Sequence, residues 1–87
     1  MRIVYASLIR GIGNGVADVR PGEDQPTALR RAIERKSGRK VYGLQLLDQL
    51  VDHRGKARER RWRLTLVSRR FDGGAVAEGW LLTAVKD

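Results

Sequence analysis

Residues 26–55, PTALRRAIERKSGRKVYGLQLLDQLVDHRG, limit what this chain can fold into more than any other stretch. At the helical period of 100° per residue, Ala28, Leu29, Ala32 and Ile33 fall on one side, and Arg30, Arg31, Glu34 and Arg35 on the other. One apolar stripe and one wet face predict an amphipathic helix that must be buried against a partner element. Both ends are marked. Asp24 or Thr27 can cap the start, Pro26 suits a first turn with no hydrogen bond to donate, and Glu23 and Asp24 favour the positive end of the dipole. Arg35 and Lys36 fall in the last turn, and Gly38 follows, free to take positive φ.

The second half of the stretch also separates by side. Gly43, Leu44, Leu46, Leu47, Leu50 and Val51 face Gln45, Asp48, Gln49, Asp52 and His53. The adjacent pairs Leu46-Leu47 and Leu50-Val51 break strict alternation, and Leu, Gln and Asp are poor strand formers. The pattern therefore predicts a second helix, ending at His53 and Arg54 with Gly55 as its cap. The rival is a strand through Val41–Val51.

Strands are expected on either side. Residues 2–10 point Ile3, Tyr5 and Ile9 one way and Val4, Ala6 and Leu8 the other, so both faces of that strand need cover. Asn14-Gly15 is a strong hairpin-turn signal and predicts a return strand over Val16–Arg20, closed by Pro21-Gly22. Gly11, Gly13 and Gly15 superficially suit a phosphate-cradling loop, but no helix opens directly after them and no Lys-Ser/Thr follows, so a turn is expected. Trp62, Leu64 and Leu66 alternate with Arg63, Thr65, Val67 and Arg69. After the Asp72-Gly73-Gly74 turn, Ala75–Val85 reads as a last strand with Val76, Trp80 and Leu82 on one face. The expected class is α+β, an antiparallel sheet of two β-hairpins flanking a central helical pair (ββααββ) in one domain over residues 1–87; if 41–51 is a strand, the order becomes ββαβββ with one helix.

Composition narrows function. The chain has 87 residues, a net charge of +8 and no cysteine, which removes disulfides, thiol nucleophiles and cysteine-based metal sites. No apolar run reaches membrane-spanning length, and the first residues are too short and strand-like for a signal peptide, so a cytoplasmic protein is expected. The charge is concentrated: residues 30–70 hold 14 Lys or Arg and 4 acids, while the rest of the chain holds 4 and 6. Such a distribution suggests a face meant for an anion, most often nucleic acid, sometimes an anionic membrane or an acidic protein surface. A membrane partner is not expected, because the basic first helix has only Ala, Leu and Ile opposite its charges and no bulky aromatic.

The densest part is Arg54–Arg63, RGKARERRWR. Arg54, Lys56, Arg58, Arg60, Arg61 and Arg63 could track a phosphate backbone, joined by Arg69 and Arg70 beyond them and by Arg30, Arg31 and Arg35 on the first helix. Trp62 lies inside the run, but its phase with Leu64 and Leu66 assigns it to the core and not to base stacking. The helix–turn–helix–hairpin order is similar in shape to a winged helix. Asp48 and Asp52 on the exposed face of the second helix would repel phosphate there, so backbone contacts from the first helix and the arm are expected, with weak sequence preference.

Enzyme chemistry has little to stand on. The single histidine, His53, sits at an expected helix end; Ser7, Ser37 and Ser68 have no base nearby in sequence. Asp48 and Asp52 share a face at i, i+4, a spacing more often solvated than metal-bound. No cofactor and no metal are expected. The sequence thus favours a non-catalytic nucleic-acid-binding protein for DNA or RNA. The alternative is a protein–protein interaction module, such as an inhibitor, adaptor or homo-oligomer subunit, on account of the doubly apolar first strand and two tryptophans.

Overall fold

In the computed structural model, which describes residues 1–67 and 76–86, the elements are β1 (Arg2–Ser7), β2 (Gly13–Asp18), α1 (Gln25–Ser37), β3 (Lys40–Val51), β4 (Ala57–Val67) and β5 (Val76–Lys86). The five strands form one antiparallel sheet in the order β2-β1-β5-β4-β3. The helix packs on one face of it. The architecture is α+β with ββαβββ order, so the two-helix ββααββ layout is corrected, and with it the likeness to a winged helix.

The helix forms where the stripe predicts. The Asp24 carboxylate accepts the Thr27 N–H at 2.8 Å, which selects Asp24 over Thr27 as the cap. Gly38 takes φ 67° and its N–H donates to the Glu34 carbonyl at 2.9 Å, closing the last turn. Ala28, Leu29 and Ile33 are buried against Ile3, Tyr5 and Ala17 of the first hairpin and Val41, Trp62, Leu64, Leu66 and Leu81 of the other strands.

Residues 41–51 are strand β3, and the physical reason they look helical is visible in the ladder. The register of β3 against β4 shifts between Val41 and Gly43, between Leu46 and Asp48, and between Leu50 and Val51. Tyr42 and Leu47 are the extra residues at the first two shifts. A bulge puts two neighbours on similar sides of a strand, so apolar residues come in adjacent pairs instead of alternating. Leu46-Leu47 is such a pair; at the third shift the extra residue is Arg58 on β4, opposite Leu50-Val51. His53 consequently lies in the β3–β4 turn and caps no helix.

The first hairpin is also shifted from its expected position. The reversal falls at residues 8–12, with Gly11 at φ 92° and Gly13 at φ 56°, and Asn14 and Gly15 belong to β2. Gly15 stands opposite Tyr5 in the ladder. A Cβ at Gly15 would run into the Tyr5 ring, with Cε2 at 2.8 Å. Its glycine therefore makes room for a packed aromatic ring and not for a turn.

Candidate functional site

Alternation along β4 divides the arm. Arg60 points to the helix side with Trp62, Arg61 and Arg63 point to the open side, and Arg58 is the extra residue where the ladder to β3 shifts. Most of these cations also have protein partners. Asp52 accepts the N–H groups of Arg54 (2.8 Å) and Lys56 (3.0 Å), which ties the β3–β4 turn, and the Arg58 Nε donates to its other oxygen at 3.2 Å. Those bonds, led by the Lys56 N–H, hold the Asp52 carboxyl below its usual pKa. Arg60 donates to Gln49 (3.2 Å) and to Gln25 at the start of α1 (2.7 Å). Arg61 pairs with Asp48 at 2.6 Å, and Arg63 with Glu78 at 3.3 Å. Asp48 and Asp52 are thus engaged with arginines, and among the described residues no group of three or more His, Asp or Glu comes together to hold a metal. Arg54 and Lys56 are exposed at the turn. Arg69 and Arg70 lie outside the described residues.

Two of the helix arginines are structural. Strand β3 is at the sheet edge, and at Val41 the helix covers that edge: Arg30 donates to the Val41 carbonyl at 3.1 Å, and the Val41 N–H donates to Glu34 at 2.9 Å. Arg31 forks onto Glu23 and also donates to the Asp18 carbonyl at 2.9 Å. The Arg31 guanidinium pulls the Glu23 carboxyl down to about 2. Arg35 is exposed in the last helical turn.

Around Arg35 the fold assembles cations that the arm does not supply. Lys36 donates to the Asn14 carbonyl and lies 5.8 Å from the centre of the Tyr5 ring. Arg39 donates to the Arg10 carbonyl at 3.4 Å. These bonds bring the β1–β2 turn against the end of α1, so that Arg10, Arg35, Lys36, Arg39 and Lys40 share one end of an elongated molecule, 47 × 24 × 19 Å. The two segments, 8–14 and 34–41, contain one carboxylate, Glu34, and it is engaged with Val41. The helix dipole, worth about half a charge at its negative end, accounts for one of these cations and not for five. Of the five, only Arg35 is among the expected site residues. Arg39 and Lys40 directly follow the Gly38 cap, which is a readable signal; Arg10 gives none, because its place depends on the hairpin's approach to the helix.

A second surface is the sheet face away from the helix. Alternation and register place Val16, Val4, Ala84, Glu59 and Leu50 in one row across the five strands, and Asn14, Ala6, Leu82, Arg61 and Asp48 in the next. Val16 is 50% exposed, Leu82 54%, Trp80 60% and Leu50 67%. This face curls into a trough of about 1010 Å³ that reaches from β2 to β3. The bulges of β3 fit that curl, since they bend the strand and increase its twist. No helix among the described residues is long and apolar enough to cross a membrane.

Compared with known proteins, the chain matches no family model, no curated protein and no solved structure.

Proposed function

We propose that the protein is a non-catalytic binder of nucleic-acid backbone, and that its contact surface is the end of the molecule formed by Arg10, Arg35, Lys36, Arg39 and Lys40. The supporting observation is that these five cations come from two distant segments brought together by hydrogen bonds, and that the two segments hold one carboxylate, Glu34, already engaged. Like charges held together repel one another, and a polyanion relieves that cost while releasing its own condensed counterions. Arg54, Lys56 and Arg58 at the β3–β4 turn form a smaller outlying contact. Arg30, Arg31, Arg60, Arg61 and Arg63 serve chiefly to hold the fold. No base-reading element is required, so DNA and RNA of different sequence are bound alike.

The test is a fluorescence-anisotropy titration with duplex DNA, single-stranded DNA and RNA at two ionic strengths. The reading requires affinity that falls steeply with salt. Binding that ignores salt, or no binding at low salt, removes it.

A further inference from the structure

We propose that the open face of the sheet is a self-association surface, on which a second copy of this chain docks so that each copy's Trp80 enters the other's trough. The partner is identified by charge, shape and area.

Charge comes first. The chain carries +8, yet among the described residues the open face is nearly balanced. Arg2, Lys40, Arg61, Arg63 and Lys86 point to it, as do Asp18, Asp48, Glu59 and Glu78, from the register of the five strands. Most are already paired within the chain: Arg2 with Asp18, Arg61 with Asp48, Arg63 with Glu78. A polyanion or an acidic protein gains little on a nearly neutral face. A second copy meets little repulsion there, because Arg10, Arg35, Lys36 and Arg39 belong to the end of α1 and the turn against it, and Lys40 stands only at the rim of the face, at the start of the edge strand β3. Of the surfaces of a strongly cationic protein, a nearly neutral one brings two copies together with the least like-charge repulsion.

Shape points the same way. The trough has an apolar floor of Val4, Ala6, Leu82 and Ala84, with Val16 and Leu50 toward its sides. Trp80 does not line it. The ring stands beside it, 60% exposed, with the Arg61 guanidinium 4.6 Å from the ring centre. A face that carries both a protruding ring and an apolar hollow is self-complementary. Under two-fold symmetry, residue i meets j and j meets i, so two Trp80 rings fill two hollows at once.

The area suffices. Strands spaced about 4.8 Å apart at about 3.3 Å per residue, β3, β4 and β5 over the length from Glu78 to Lys86 and the shorter β1 and β2 over their own, give a face of roughly 600 Å². Specific interfaces bury about 600–1,000 Å² per partner, and the face reaches the lower end of that range; most of the energy resides in a few central aromatic and arginine side chains. Trp80 under Arg61 is such a centre.

The experiment is sedimentation equilibrium of the whole chain, wild type against Leu82→Arg and Trp80→Ala. Circular dichroism and a thermal melt establish that each variant is folded. The wild type should sediment at about twice its 9.8 kDa chain mass. Its tryptophan emission should shift to the red on dilution, since Trp62 is buried in the single chain and Trp80 is the ring that gains cover. Both variants should be folded and sediment as single chains. A wild type that stays a single chain at high micromolar concentration overturns the proposal. So does a dimer that persists in both folded variants, or a single chain whose Trp80 becomes protected only by nucleic acid. Salt titrations of nucleic-acid binding report on the other end of the molecule and stand or fall separately.

Discussion

The indole N–H of Trp62 donates to the Thr83 hydroxyl at 2.9 Å, on neighbouring strands β4 and β5, with both residues buried beneath the helix. Thr83 is the one buried polar side chain among the described residues, and it is the partner that lets a tryptophan sit in so small a core. Replacing Thr83 by Val keeps the shape and removes the acceptor. The expected loss is about 1–3 kcal/mol in urea melts, the cost of leaving a buried donor unsatisfied. Thr83→Ser should lose clearly less, because the hydroxyl remains.

Gly15 and Tyr5 form the second pair. Gly15→Ala should destabilise by about 1–3 kcal/mol through overpacking against the ring. Tyr5→Leu alone also destabilises, but in the double variant the two costs should fall short of their sum, since the smaller side chain leaves room for the new Cβ. Additive effects in a double-mutant cycle would show that the ring does not press on that position.

Acid should weaken the fold through its capping and turn carboxylates. Glu23, held by Arg31, is lowered from 4.5 to about 2; Asp24, held by Thr27, and Asp52, held chiefly by the Lys56 N–H, are lowered as well. A group whose folded pKa is depressed contributes stability above its unfolded pKa and loses it as pH falls through the folded value. Stability should therefore be flat from pH 7 to about 5 and decline between about 4.5 and 2. In Glu23→Gln, urea midpoints at pH 7 and pH 3 should lie closer together than in the wild type.

Cations at the end of α1 and cations of the arm should behave differently. Arg10→Ala, Arg35→Ala and Lys40→Ala combined should leave the melt near that of the wild type, weaken binding to all nucleic acids alike and flatten the salt slope by about 3. Arg60→Ala and Arg61→Ala combined should lower the melting temperature, through lost bonds to Gln25, Gln49 and Asp48, and leave the slope nearly unchanged. Flattening by the second set and not by the first would return the site to the arm.

Local order was readable where short-range chemistry decides it. The stripe Ala28-Leu29-Ile33 with the Asp24 cap and Gly38 stop marks a helix whose ends close within one turn, and Trp62, Leu64 and Leu66 alternate as a half-buried strand must. Strand β3 was misread because bulges erase alternation, and a bulge is a property of two strands in register. The Asn14-Gly15 signal misled for a similar reason: the glycine answers a ring ten residues earlier in the chain, not its own backbone.

Charge shows the same division most clearly. The amino-acid sequence alone determined that the chain is strongly basic, which residues carry the charge and which short segments close on themselves. The tertiary structure decided which cations act together. Period-two alternation sent neighbouring arginines of the arm to opposite faces and beside carboxylates from β3 and β5, whereas two backbone carbonyls drew Arg10, Lys36 and Arg39 to a common end. Coulomb interactions depend on distance through space, and in a sheet that distance is set by strand pairing, which no run of consecutive residues encodes.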